Sequence, residues 1–107
     1  MQETVIGIEE APQRGYELVM VINPEYTDEK LEARIDEISK YITERGGRVS
    51  SMEQWGKRKL AYPIAHFTEG YYVLGKFEFK PALCKELEAS LQISEDILRY
   101  LLIRPGD

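Results

Sequence analysis

Residues 16–22, Tyr-Glu-Leu-Val-Met-Val-Ile, form a nearly continuous apolar run that stops at Asn23-Pro24. A strand that alternates apolar with polar residues can leave one face in water, whereas a run like this has the pattern of a strand buried on both faces. A sheet with this segment near its centre is therefore the first expectation, and the rest of the chain has to supply its neighbours. Thr27, followed by Asp28 and Glu29, places a capping oxygen and two acids at the positive end of a helix dipole. Leu31, Ile35, Ile38 and Ile42 then recur at helical spacing, and Gly46-Gly47 supplies the stop.

Side chains partly alternate from Arg48 to Trp55 and again from Lys59 to Ile64, with Leu60, Tyr62 and Ile64 on one face. Gly56 between them predicts a bulge or bend, and Pro63, which cannot donate to a ladder, predicts a sheet edge. Thr68-Glu69-Gly70 reads as a turn, followed by a strand from Tyr71 to Phe79 with Tyr71, Val73, Gly75, Phe77 and Phe79 on one side. Pro81 is pre-set for the first position of a short helix carrying Leu83, Leu87 and Leu91, and Ile97 to Ile103 forms the last apolar strand. The order is strand, helix, strand, strand, helix, strand. Right-handed crossovers leave few arrangements for that order. The two-layer solution is an α+β fold: a four-stranded antiparallel sheet with both helices on one face, the ferredoxin-like split βαβ, or βαββαβ, arrangement.

The 107 residues are enough for one such domain, assigned to 14–107, and residues 1–13 read as an acidic, flexible N-terminal extension without periodicity. The extension has neither the basic start nor the apolar core of a signal peptide, and no apolar run reaches the length of a membrane span. Cys84 is the single cysteine, which excludes an internal disulfide and a two-thiolate zinc site and fits a reducing cytoplasm. His66, the single histidine, has no evident nucleophile beside it and reads as a surface turn residue. Cys84 reads as a small packed residue beside Leu83 and Leu87. Acidic pairs such as Glu86 with Glu88 lack a converging third ligand, and Gly46-Gly47 follows a helix without the Lys and hydroxyl of a phosphate loop. Catalysis, a cofactor, a metal and a small-molecule substrate are all unexpected.

Charge is distributed unevenly. From Arg45 to His66 there are five cations against Glu53 alone, a local charge of +4 in a chain of net −5, which leaves −9 on the remainder. Lys57-Arg58-Lys59 lies beside Trp55 and Tyr62, so phosphate-binding cations are interleaved with rings able to stack. The strand order is also that of the RNA-recognition motif, yet its stacking signature is mostly missing: Glu69 replaces a leading cation, and Val73 and Lys76 replace aromatics. An acylphosphatase-like site would need an Arg-bearing loop after the first strand, where this chain has Asn23-Pro24-Glu25.

The segment Gly56-Lys57-Arg58-Lys59-Leu60-Ala61-Tyr62-Pro63-Ile64 closely resembles the hairpin-strand motif of the bacterial small-subunit ribosomal protein S-six family. Tyr16-Glu17, Asn23-Pro24, Gly70-Tyr71-Tyr72 and Arg99 in the last strand also fall where that family has them, and the resemblance spans roughly Arg14 to Arg104. It implies a ferredoxin-like, non-catalytic protein of the cytoplasmic small ribosomal subunit. Such a protein binds the central domain of small-subunit ribosomal RNA together with ribosomal protein S-eighteen. On residues matched one by one it implies RNA contact by Lys57, Arg58, Lys59, Arg14 and Arg99, and the basic segment adds Arg48. Gly15 and Ala65 depart from positions where the family often has cations, and the chain lacks the long charged tail of some members. The −9 remainder is expected to attract a strongly basic protein partner. The competing reading is a ferredoxin-like interaction or regulatory module without an RNA role. It predicts a homodimer and indifference to the charge of Lys57, Arg58 and Lys59.

Overall fold

The computed structural model describes residues 12–105; the expected flexible extension falls, for residues 1–11, outside the described residues. Strands β1 (Arg14–Ile22), β2 (Arg48–Ile64), β3 (Phe67–Phe79) and β4 (Ile97–Ile103) alternate with helices α1 (Asp28–Glu44) and α2 (Cys84–Gln92), the latter preceded by a 3-10 turn at Pro81–Leu83. All pairings are antiparallel, in the order β2-β3-β1-β4, the predicted ferredoxin-like sheet.

The inner face of the sheet carries the core. Leu18, Met20 and Ile22 of β1 and Val73, Phe77 and Phe79 of β3 meet Leu31, Ile35, Ile38 and Ile42 of α1 and Leu87 and Leu91 of α2. Tyr16 and Phe77 lie 5.9 Å apart between ring centroids, and Phe79 meets Phe77 edge-on at the same distance. The alternating rings of β3 are thus core, while Tyr72 and Leu74 point to the opposite face. Gln13 ties the start of β1 to the end of α1, its amide donating to the Gly46 carbonyl at 2.6 Å.

The Thr27 side chain accepts from the Lys30 N–H, as its capping position predicts. At the other end of α1 the Gly47 N–H reaches the Ile42 carbonyl at 2.9 Å and the Gly46 N–H reaches Thr43 at 3.0 Å. This is a Schellman closure, with Gly46 at φ +89° in the left-handed conformation that it requires. Gly47 serves differently: a Cβ there would lie 2.6 Å from Ile42 Cγ2 and 2.7 Å from the Glu78 carbonyl oxygen.

The two segments flanking Gly56 prove to be one strand. Gly56, at φ +89°, marks an irregularity in the register with β3 rather than an interruption, and β2 lies at the sheet edge, as Pro63 requires. The hairpin turn is displaced from its expected place. It lies at Ala65-His66, both at positive φ (50° and 73°), between the paired Ile64 and Phe67. A two-residue turn with both central residues at positive φ matches the strand twist and usually takes Asn or Gly, so Ala-His carries none of its compositional signal. Thr68, Glu69 and Gly70 belong to β3 instead. Gly70 is small because Val21 and Leu98 close over it, and a methyl there would overlap Val21 Cγ1.

Gly47→Ala is expected to lower folding stability by about 1 to 3 kcal/mol through overpacking. Gly15→Ala, with nothing within 4 Å of the added methyl, should change it by less than about 0.5 kcal/mol in denaturant titrations. A second test is alkaline. Burial, reinforced by a hydrogen bond with Cys84, pushes the Tyr16 phenol from its ordinary 10.0 up to about 12. The folded state therefore holds a proton that the unfolded chain has released. Its stabilising effect is complete below pH 10 and is lost as pH rises through about 12. Denaturation midpoints should fall across that window, and fall less in Tyr16→Phe.

Candidate nucleic-acid interface

β2 and β3 are much longer than their neighbours. The last residue of β1, Ile22, pairs with Tyr71, and Tyr71 pairs on its other side with Lys57. Beyond that level the two strands run on alone, among the described residues, to Ala65-His66, so a two-stranded hairpin projects past the end of the sheet and the molecule measures 57 × 28 × 22 Å.

The basic run sits where the hairpin leaves the sheet. Lys57 is opposite Tyr71, Arg58 opposite Gly70 and Lys59 opposite Glu69, and all three are exposed. Strand alternation divides them between faces. Lys57 lies on the helix side, its Nζ 5.2 Å from the Tyr71 ring centroid. Arg58 lies on the outer side, its Cζ 5.4 Å from the Trp55 ring, while the Trp55 indole N–H donates to Glu53 Oε1 at 3.2 Å. Arg99 of β4 joins the outer group, donating from Nη1 to the Tyr62 hydroxyl at 3.4 Å. Among the described residues, carboxylates within 4.0 Å pair with Arg34, Arg45 and Arg48, and none pairs with Lys57, Arg58, Lys59 or Arg99. Their charge stays available to an anion, and the exposed Trp55 and Tyr62 rings (41% and 59%) lie beside it.

Arg14 and Arg48 are not part of this group. They stand at the opposite end of the sheet, at the rungs Arg14↔Phe79 and Arg48↔Glu78, and the Arg48 guanidinium lies 3.2 Å from the Glu78 carboxylate. The expected cationic set therefore divides into a hairpin group and a separate pair of arginines. His66 occupies the exposed tip of the turn. Cys84 is buried at the start of α2 with its Sγ 3.9 Å from the Lys80 carbonyl oxygen. Among the described residues there is no group of three or more His, Cys, Asp or Glu placed to hold a metal, and no helix long and apolar enough to cross a membrane.

Two features escaped the sequence reading. On the outer face of the sheet Val19, Val21, Tyr72, Arg99, Tyr100 and Leu101 surround a shallow depression of about 130 Å³, with Leu101 55% and Ile103 36% exposed, and no helix among the described residues covers it. The signal was present: β1 is apolar on both faces, while the fold supplies helices to one alone. The second feature is a clasp at the hairpin's root, where the Tyr26 hydroxyl (2.9 Å) and Arg34 Nε (2.7 Å) both donate to Asp96 Oδ2. Its members are far apart in sequence and follow no motif.

Comparison with known proteins agrees with this geometry. The family model described as "Ribosomal protein S6" matches residues 15–104. "Small ribosomal subunit protein bS6" of Moorella thermoacetica is 44% identical over 91 residues, covering 85% of this chain and 93% of that protein. Its counterpart in Dehalococcoides mccartyi is 43% identical over 90 residues, covering 84% and 83%. Among solved structures, 30S ribosomal protein S6 of Thermotoga maritima superposes with a TM-score of 0.80 at 32% identity, covering 86% of this chain and 87% of that one. With a shared fold and a matched motif along nearly the whole described domain, the chain belongs to the ribosomal protein S6 family.

Proposed function

We propose that the chain is a structural, non-catalytic constituent of the small ribosomal subunit that binds the central domain of small-subunit ribosomal RNA together with ribosomal protein S-eighteen. The observation that carries this reading is the exposed Lys57, Arg58 and Lys59 run, free of carboxylate partners among the described residues, on a hairpin that projects past the sheet. Each cation released from its counterions on meeting a phosphate favours binding, and Arg58 adds planar two-point contact. Arg99 extends the surface on the outer side, and Arg14 with Arg48 gives a second contact at the far end. The outer face, uncovered among the described residues and apolar at its centre, suits a protein partner, and the acidic remainder of the chain favours a basic one.

The test is co-sedimentation of the tagged protein with small ribosomal subunits in a lysate. The wild type should travel with the subunits, and Lys57→Glu/Arg58→Glu/Lys59→Glu, folded by circular dichroism, should remain at the top of the gradient. A triple variant that still sediments with the subunits would remove the hairpin from the RNA contact. A wild type found free and dimeric would support the interaction-module reading.

Trp55 provides a second readout because it is the sole tryptophan and lies beside Arg58. Binding of a central-domain transcript should reduce quenching of its fluorescence by iodide, and unchanged quenching at saturating RNA would place the contact elsewhere.

A further inference from the structure

Past the rung that joins Ile22 to Tyr71, the hairpin has no third strand among the described residues, and an isolated two-stranded hairpin is marginally stable in water. Its direction must be set at its root. There Tyr71, half-buried, donates from its hydroxyl to the Tyr26 carbonyl at 3.2 Å. Tyr26 is in turn fixed by its own hydroxyl on Asp96 Oδ2 (2.9 Å), the oxygen that also accepts from Arg34 Nε (2.7 Å). Arg34 Nη2 reaches Ser94 Oγ at 3.0 Å, and the Asn23 N–H reaches the Asp96 carbonyl at 2.9 Å. The Arg34 and Asp96 side chains are only 20% and 13% exposed, so this clasp is stiffer than a surface ion pair. It joins the β1–α1 loop, helix α1 and the α2–β4 loop. On its other side, the Tyr71 ring carries the Lys57 ammonium at 5.2 Å.

We infer that Tyr71 is a positioning residue of the RNA surface: it locks the projecting hairpin to the Tyr26, Asp96 and Arg34 clasp and so presents the basic run in its binding orientation before RNA arrives. The inference rests on the hairpin being an RNA contact. A segment held in its bound orientation loses less conformational entropy on association, so the contribution lies in preorganisation and not in a further contact. Burial and the bond to Asp96 raise the Tyr26 phenol above its ordinary range, so the donor is retained in alkaline as well as neutral solution.

The experiment measures affinity for a central-domain transcript, with S-eighteen present, over a series of salt concentrations for the full chain. Tyr71→Phe keeps the ring and removes the hydroxyl bond. It should weaken binding about fivefold, the factor one ordinary hydrogen bond is worth, while the slope of affinity against salt stays as in the wild type. Tyr26→Phe, which releases the clasp from the other side, should act in the same direction. Lys57→Ala should weaken binding and also flatten the slope by about one phosphate contact. Backbone relaxation of residues 58–66 in the RNA-free protein should show increased motion in both tyrosine variants. Unaltered affinity in Tyr71→Phe and Tyr26→Phe, or a flattened salt slope in them, with Lys57→Ala still impaired, overturns the positioning role and leaves the RNA reading standing. Wild-type affinity and slope in Lys57→Ala would remove Lys57 from the RNA surface and the inference with it.

Discussion

Because β1 is paired with β3 along its whole length and with β4 from Glu17 to Ile22, its backbone over Glu17 to Ile22 has a strand on either side, and Leu18, Met20 and Ile22 retain no exposed surface. Every other element is placed relative to that strand. α1 and α2 cover its inner face, β3 and β4 flank it, and β2 is held at one remove through β3. Within this frame the hydrophobic free energy is concentrated between one sheet face and two helices, as expected of a two-layer domain. What projects beyond β1 has no comparable core and must be held by polar contacts.

That division separates stability from recognition. The residues that make the core are not those proposed to meet RNA, and the cations of the hairpin could change with little effect on the packing around Phe77 or Ile42. The same division explains why a chain of net charge −5 can carry an anion-binding surface: Lys57, Arg58 and Lys59 sit on a projection, physically apart from the acidic helices. The edge position of β2 adds a protective effect. Pro63, the bulge at Gly56 and the cationic run all discourage pairing with a further strand at an otherwise open edge.

Most of the fold was legible because its signals are local. Thr27 with Asp28 and Glu29, the spacing of Leu31 to Ile42, Gly46-Gly47, Pro63 and the apolar period of β3 each depend on a few adjacent residues and on well-defined backbone preferences. The hairpin turn was not legible. Its left-handed residues are Ala65 and His66, and the nearby Thr-Glu-Gly, whose glycine answers to a tertiary contact with Val21, offered a stronger local signal in the wrong place. The basic run at Lys57 to Lys59 was visible as a charge pattern, but its division between two faces follows from register. The distance of Arg14 and Arg48 from it follows from topology. Tyr26, Arg34, Tyr71 and Asp96 come together from four separate segments, a kind of proximity that no spacing rule in a single sequence encodes.

The length of the hairpin gives its root mechanical leverage. From Tyr71 to Phe67, the partner of Ile64, β3 extends roughly 13 Å at about 3.3 Å per residue, so a rotation of about 10° at Tyr71 would carry the tip through ~2 Å. A rotation at the root thus re-aims the side chains of Lys57, Arg58 and Lys59 together and carries His66 through the widest arc, and an adjustment too small to disturb the core is sufficient to redirect the projection.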